Sequence, residues 1–178
     1  MLRLRPYKNC DAEAIVSWLG DEHAFRKWCA DRFDRYPITP ADLNAHYAAQ
    51  ADSDSFYEMT AFDETGPVGH LILRFTDNEK KSLRFGFVIV DAGKRGVGYG
   101  KKMLRLAARY AFEILKVETI TMGVFENNPS AYHCYKAVGF RDLPEDKASY
   151  FRILGEEWKC LELAMTCEQW RAASTQRR

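Results

Sequence analysis

Long apolar runs are absent from this sequence. No stretch approaches the ~20 consecutive apolar residues that a membrane-spanning helix needs. Residues 2–5 alternate leucine with arginine, and the N-terminus lacks the apolar core of a secretory signal. We therefore expect a soluble protein with no membrane partner.

Cysteine is sparse, and its spacing is irregular. The chain has five cysteines, an odd number, and none of them forms a Cys-x-x-Cys pair. Disulfide-linked secreted domains use even sets of cysteines, and structural zinc sites use closely spaced pairs. We therefore expect free thiols, no metal site and a cytoplasmic location, where thiols stay reduced.

A strong net charge is also missing. Lysine and arginine number 26, aspartate and glutamate number 25, and the formal charge is +1. Because a nucleic-acid-binding surface is broadly positive, this balance argues against nucleic acid as a partner. The 178 residues, 47% of them hydrophobic, suffice for one globular domain with a proper core.

The hydrophobic pattern predicts a mixture of strands and helices. Strands are expected at about 2–5, 56–62, 68–75, 83–90, 119–125, 149–154 and 158–165. Helices are expected at about 11–19, from 39 onward, from 100 to 116 and from 128 to 139, while 21–36 is either helical or looped. The fold class is α/β in composition (α+β), with helices flanking a mixed, mainly antiparallel central sheet. Residues 1–166 form this single domain, and 167–178 form a polar tail, helical or frayed.

The most informative feature that is present is a glycine-rich turn between a strand and a helix. The turn follows Asp91 and holds Gly93, Gly96, Gly98 and Gly100. Glycine lets the backbone approach a ligand closely, and the free N–H groups of a helix start attract anions. Five cations crowd the same segment with no acidic residue among them: Lys94, Arg95, Lys101, Lys102 and Arg105. Since cations oppose the dipole in a first helical turn, we favour an anion site, most simply for phosphates, over a structural turn.

Two common nucleotide motifs do not fit this turn. A Walker loop requires glycine where Arg95 stands and a hydroxyl residue where Lys102 stands. A dinucleotide-binding turn requires a third glycine at the position of Met103. Both alternatives are therefore excluded.

Two spaced motifs instead follow one another in an order that a known family shares. The first is Arg95-x-x-Gly98-x-Gly100, and the second is Asn128-x-x-Ala131-x-x-x-Tyr135-x-x-x-Gly139-Phe140. They resemble the acetyl-CoA loop and the last conserved segment of the Gcn5-related N-acetyltransferase (GNAT) superfamily. The resemblance spans about residues 2–166. The segment from Gly155 to Trp158 and the strand after it are similar to the ribosomal-protein N-acetyltransferase subgroup, whose members acetylate protein N-termini, polyamines and other amines.

The resemblance implies an N-acetyltransferase that moves an acetyl group from acetyl-CoA to a primary amine by direct attack. It places the pyrophosphate of acetyl-CoA on the loop residues Arg95, Gly96, Val97, Gly98, Tyr99, Gly100 and Lys101. It also implies that Val88, Ile89 and Val90 pair their backbone with the pantetheine arm and supply an oxyanion donor. Asn128 faces the cofactor in similar proteins, and it also suits the cap of its helix.

Tyr135 is the predicted catalytic residue. A phenol is protonated at neutral pH and can give its proton to a departing thiolate, which makes Tyr135 a candidate general acid. The alternative is that Tyr135 only packs in the core, as most of the nine tyrosines must.

The general base stays open at this stage. Many relatives place a glutamate where this sequence has Arg84 or Gly123. Glu126, Glu58 and His70 are the remaining side-chain candidates, and a water chain is another. Because the glutamates are missing, a non-catalytic CoA-binding or sensing module is the competing function.

The acceptor amine is a small molecule or a protein N-terminus, and residues 25–36 are expected to shape its pocket. Trp28, Asp31 and Asp34 offer an aromatic face and negative charge, which suits a cationic amine. The sequence leaves the oligomeric state open and is compatible with a homodimer.

Overall fold

The seven predicted strands and a short additional one (Arg141–Asp142) form one sheet in the computed structural model, which describes residues 1–175. The strands are β1 (Arg3–Pro6), β2 (Phe56–Asp63), β3 (Gly66–Phe75), β4 (Ser82–Val90), β5 (Thr119–Phe125), β6 (Arg141–Asp142), β7 (Ser149–Ile153) and β8 (Glu156–Thr166). Their order is β1-β2-β3-β4-β5-β8-β6, with β7 paired to β8. All neighbours are antiparallel except β4 and β5, so the predicted mixed, mainly antiparallel sheet is confirmed.

Helices cover both faces of the sheet. They are α1 (Ala12–Ser17), α2 (Glu22–Cys29), α3 (Pro40–Ala48), α4 (Tyr99–Arg109), α5 (Pro129–Val138) and α6 (Cys167–Thr175). Thr39 caps α3 by accepting from the Asp42 N–H, and Pro40 occupies its first turn. The segment 21–36, which the sequence left as helix or loop, is helix α2 followed by a loop.

Two helix ends differ in detail from the prediction. The α-helical part of α4 stops at Arg109 and continues as a π-helical turn, Tyr110–Ile114, close to the predicted end at 116. The tail begins as α6, and the Trp170 ring lies 6.0 Å from that of Phe112, between centroids. Residues 176–178 of the predicted tail lie outside the described residues.

Each face of the sheet carries its own hydrophobic core. The larger core lies under α4 and α5 and includes Leu83, Phe85, Met103, Ala107, Tyr135 and Phe140. The second core lies under α1, α2 and α3 and includes Ile15, Phe25, Trp28, Leu43, Tyr47 and Phe87. Among the described residues, no helix is long and apolar enough to cross a membrane.

Candidate active site

The centre of the candidate site is a gap between β4 and β5. Their parallel pairing runs from Ser82 opposite Thr119 only as far as Phe85 opposite Met122. Beyond that point no register joins the two strands in the described part of the chain. Backbone groups of residues 86–90 on this edge are therefore available to another partner, because a strand edge without a neighbour has unpaired N–H and C=O groups.

A β-bulge at Phe87 lies at the start of this gap. Phe87 has φ = +49°, in the left-handed region that non-glycine residues seldom adopt, and the register with β3 shifts at the same place. The indole Nε1 of buried Trp28 donates to the Phe87 carbonyl at 2.8 Å, which holds the bulge in place.

The bulge also exchanges the faces to which the side chains of β4 point. Leu83 and Phe85 belong to the larger core, whereas Phe87 and Ile89 belong to the second core. Val88 and Val90 are half-buried against the larger core, on the side of α4. One extra residue in a strand has this effect because side chains alternate with a period of two.

The glycine turn leads from the end of β4 into α4. Gly96 and Gly98 have φ of +79° and +91°, and a Cβ on either residue would have no atom within 4 Å. Gly100 is different, because its Cβ would lie 3.3 Å from Cys134 Sγ on α5. The backbone conformation thus favours glycine at 96 and 98, and the close approach of Cys134 leaves little room for a side chain at 100.

The loop presents a continuous row of free backbone donors. Within residues 1–175, no acceptor receives a hydrogen bond from the N–H groups of residues 96–101. They stand at the N-terminus of an 11-residue helix, where the partial positive charge of the helix lies. The backbone of the predicted loop residues Gly96, Val97, Gly98, Tyr99, Gly100 and Lys101 is therefore suited to an anion.

The side chains around the loop are less uniformly cationic than the sequence indicates. Lys94 Nζ lies 3.1 Å from Asp63 Oδ2, and the Tyr99 hydroxyl donates to the same oxygen at 2.7 Å. Arg95 Nε donates to the Val90 carbonyl at 3.1 Å. Lys101 and Lys102 are exposed and make no ion pair with any residue in the described range. The neutralising Asp63 belongs to β2, so it could not be found by reading the loop alone.

Tyr135 lies on α5, next to Cys134, which approaches the loop at Gly100, and Asn128 immediately precedes α5. Tyr135 is buried, and its hydroxyl makes no hydrogen bond to residues 1–175. Burial raises the pKa of Tyr135, so the phenol keeps its proton at neutral pH. Asn128 caps α5, since its Oδ1 accepts from the Ala131 N–H at 3.4 Å.

The three side chains expected as base candidates are not brought together at the gap. His70 is fully buried, its Nε2 lies 2.6 Å from the Tyr47 hydroxyl, and burial lowers the pKa of His70 to about 3. Glu58 is on β2, which β3 separates from β4, and burial raises its pKa. Glu126 is exposed, with its backbone N–H bonded to Lys159.

An ion pair involves Arg84, one of the two positions at which the resemblance led us to look for a glutamate. Arg84 on β4 donates two hydrogen bonds, of 2.6 and 2.8 Å, to Glu162 on β8. Its side chain passes over Gly123 of β5, where a Cβ would lie 2.8 Å from the Arg84 guanidinium. The absence of a side chain at Gly123 therefore makes room for the pair. An isolated glycine inside a strand is the sequence signal for such a close approach.

A cavity of about 300 Å³ adjoins the bulge on the face covered by α1, α2 and α3. Its lining residues are Arg32, His46, Gln50, Phe56, Ile72, Arg74, Arg84, Gly86 and Phe87. Sequence reasoning missed His46. Its ring stacks on Phe87 with 5.7 Å between centroids, and burial together with the charge of Arg32 lowers the pKa of His46. The imidazole is therefore neutral at pH 7 and can accept a proton.

Of the residues expected to form an acceptor surface on residues 25–36, Trp28 needs correction. Trp28 is only 8% exposed and packs in the second core, so it offers no free face to a ligand. Asp31 and Asp34 are exposed, and neither lines the cavity. From this segment only Arg32 reaches the cavity, and its charge is opposite to the one expected.

Comparisons with known proteins agree with this geometry. Residues 1–141 match the family model described as an acetyltransferase (GNAT) domain. The acetyltransferase PseH of Campylobacter jejuni is 34% identical over 103 residues, which cover 58% of this chain and 62% of that protein. The spermine/spermidine N(1)-acetyltransferase of Bacillus subtilis is 32% identical over 65 residues, which cover 36% of this chain and 43% of that protein. The matches thus span less than two thirds of either relative.

A solved structure shares the fold over nearly the whole chain. The spermidine N-acetyltransferase of Vibrio cholerae, in complex with CoA and spermine, superposes with a TM-score of 0.81 at 19% identity, covering 96% of this chain and 98% of that one. With a family model matched over most of its length and a sheet that parts between β4 and β5, the chain belongs to the GNAT acetyltransferase family.

Proposed function

We propose that this chain transfers the acetyl group of acetyl-CoA to the nitrogen of a primary amine by direct attack. The observation that carries the proposal is the row of free N–H groups over residues 96–101. This row follows β4, whose edge facing β5 is unpaired beyond Phe85 within residues 1–175. These residues fit acetyl-CoA, because the loop has donors for a pyrophosphate and open space above Gly96 and Gly98. The cosubstrate supplies the activated acyl group, and the protein supplies position and proton transfer.

Residues around the gap divide the chemistry between them. Loop residues 95–101 bind the pyrophosphate, and the backbone of residues 88–90 pairs with the pantetheine arm. The nitrogen of the amine forms a bond to the acetyl carbon while the carbon–sulfur bond breaks. His46, directly or through a water, accepts the proton that the amine loses, and the Tyr135 hydroxyl gives its proton to the departing sulfur.

The proposal also concerns the class of amine that accepts the acetyl group. Two of the proteins similar to this chain are named for spermidine or spermine. The likeness of the C-terminal layout to the ribosomal-protein subgroup stays a prediction, so protein N-termini are kept as acceptors. A small primary amine is the class that these relatives support best.

One substitution tests the cofactor loop. Gly98→Asp places a carboxylate beside the free N–H groups, and its matched control is Gly155→Asp, in the β7–β8 turn. Both glycines have positive φ, +91° and +81°, with open space for a Cβ. We expect calorimetry to show that Gly98→Asp loses acetyl-CoA binding and that Gly155→Asp keeps it. Unchanged affinity in folded Gly98→Asp would remove the loop from the cofactor site.

The competing function is a CoA-binding module without catalysis. The Arg84–Glu162 ion pair favours this alternative, because it leaves no free carboxylate at position 84 to act as a base. Release of free thiol from acetyl-CoA, measured over a panel of amines, separates the two. Binding without amine-dependent thiol release would establish the module, and amine-dependent release would establish the enzyme.

A further inference from the structure

The cavity beside the bulge has an apolar floor and a positively charged rim. Phe56, Ile72 and Phe87 supply the floor, and Arg32, Arg74 and Arg84 supply three guanidinium groups. In the part of the chain that the structure describes, no carboxylate lines the cavity. The cavity opens on the face of the sheet opposite α4. An amine bound in it would therefore approach the gap between β4 and β5 from the side away from the cofactor loop.

The three guanidinium groups are unequally neutralised. Arg84 is held by Glu162 in a two-bond ion pair. Arg32 lies 3.9 Å from Asp31, and both side chains are about 60% exposed, so this pair is weak. The guanidinium of Arg74, an exposed residue, makes neither an ion pair nor a hydrogen bond to residues 1–175. Its pKa is lowered by burial and by the positive charges of Arg84 and Arg32.

We propose that this cavity binds an acceptor amine whose molecule also carries an anionic group, a phosphate ester or a carboxylate, with Arg74 and Arg32 as the anion-binding residues. The inference rests on the proposed function and names its substrate class. A guanidinium binds either anion through two parallel hydrogen bonds, and an anion here would relieve the repulsion between the arginines. A polyamine would bring further positive charge to a rim that has no carboxylate, which selects against it.

The sheet register sets the distance between the two ends of such a molecule. Arg74 pairs with Arg84, three residues before Phe87 on β4, which is about 10 Å along the strand. This backbone separation is comparable to the length of an aminoethyl-phenyl group, so such a molecule could reach from the bulge to the Arg74 side chain. The aromatic part of that group would lie on the apolar floor between them.

Four amines test the proposal with the complete chain. Tyramine, tyramine phosphate and 4-(2-aminoethyl)benzoate share one frame and differ only at the far end, and spermidine represents the polycations. We expect kcat/KM for at least one of the two anionic amines to exceed that for tyramine and for spermidine by about tenfold or more, the size of one charge-assisted hydrogen-bond pair. The two anionic compounds distinguish a phosphate acceptor from a carboxylate acceptor.

Substitutions at Arg74 link this preference to the cavity. Arg74→Gln should raise KM for the preferred anionic amine about tenfold while KM for acetyl-CoA stays the same, and Arg74→Glu should improve turnover of spermidine. The control is Arg141→Gln, an exposed arginine of β6 outside the cavity, which should leave every constant unchanged. An equal response of Arg74→Gln and Arg141→Gln, or preference for spermidine or tyramine in the unsubstituted protein, would overturn the proposal.

A binding measurement keeps this inference separate from the proposed function. Tyramine phosphate and 4-(2-aminoethyl)benzoate are titrated calorimetrically into the protein with CoA present, with and without Arg74→Gln. Binding that depends on Arg74 supports the anion site. If such binding is found but no amine is acetylated, the proposed reaction is wrong and the anion site is retained. Absence of binding for both compounds would overturn the anion site even if other amines are turned over.

Discussion

At the residue scale, a single hydroxyl carries the proposed acid chemistry. Tyr135 is buried beside the cofactor loop, and its phenol has no hydrogen-bond partner within residues 1–175. The hydroxyl oxygen is not among the fully buried polar atoms that lack a partner within residues 1–175, so it can still be reached by a ligand. The raised pKa of Tyr135 ensures that it carries the proton before the sulfur departs.

Removing that hydroxyl should slow catalysis without weakening cofactor binding. Tyr135→Phe keeps the ring, so packing in the larger core stays intact. We expect kcat to fall by roughly 10- to 1000-fold while the acetyl-CoA Kd changes by no more than a few fold. Tyr57→Phe, which removes a hydroxyl bonded to the Asp54 carbonyl at the other end of the sheet, is the control. Full activity in Tyr135→Phe would transfer the role to water.

The same assay addresses the base. In His46→Gln the acid limb of the pH profile of kcat/KM should disappear, because the titrating imidazole is gone. An unchanged profile would assign the amine proton to a water chain alone.

At the element scale, the site depends on two irregular positions in neighbouring strands. The bulge at Phe87 turns the side chains of Val88 and Val90 toward α4. The glycine at 123 lets the Arg84 side chain reach across β5 to Glu162. Both produce their effect through contacts with residues far away in sequence. The bulge bonds to Trp28, and the ion pair joins residues 78 positions apart.

A methyl group at position 123 should destabilise the fold. In Gly123→Ala the Cβ would lie 2.7 Å from Cys160 Sγ and 2.8 Å from the Arg84 guanidinium, so both side chains must shift and the Arg84–Glu162 pair is disturbed. We expect the free energy of unfolding in urea to fall by about 1–3 kcal/mol. Gly20→Ala, where a Cβ meets no atom within 4 Å, is the control and should be near neutral. Adding Cys160→Ala should recover part of the loss, and stability equal to the wild type in Gly123→Ala alone would contradict the contact.

At the scale of the whole molecule, the sheet separates two hydrophobic cores, and each core lies next to a different part of the proposed site. The larger core supports α4, α5 and the cofactor loop, and the second core supports the cavity proposed for the acceptor. The second core contains a buried polar pair, His70 and Tyr47, and His70 Nδ1 has no partner among the described residues. This pair makes the stability of the fold depend on pH.

Acid should weaken the protein through His70. Its pKa falls from 6.5 in the unfolded chain to about 3 in the fold, so the unfolded chain binds the proton more tightly. The stabilisation is complete above pH 6.5 and is lost as the pH falls toward 3, by about 2 kcal/mol between pH 7 and 5. Urea unfolding at both pH values should show a smaller difference for His70→Gln than for the wild type. His133→Gln removes an exposed imidazole and should keep the wild-type difference, and an equal difference in all three would contradict this assignment.

Several features followed from the sequence alone because their causes are local. The strand before Asp91, the glycines at 96 and 98, the cap at Asn128 and the position of Tyr135 depend on residues within one or two turns of the chain. Periodicity and capping act over such short spans, so the sheet class and the local conformation of the glycine turn could be predicted, while the cofactor contacts stay a prediction.

The lining of the cavity proposed for the acceptor was decided only by the tertiary structure. Asp63 neutralises Lys94 from a distant strand, and Trp28 is buried where its indole bonds to the bulge. Arg74 and Arg32 line the same cavity although they come from separate segments. These contacts join residues about 30 to 60 positions apart, and no local pattern encodes which of them meet. Charge read from one segment predicted a cationic acceptor, whereas the cavity collects its charge from several elements and is positive, because packing determines which side chains share a surface.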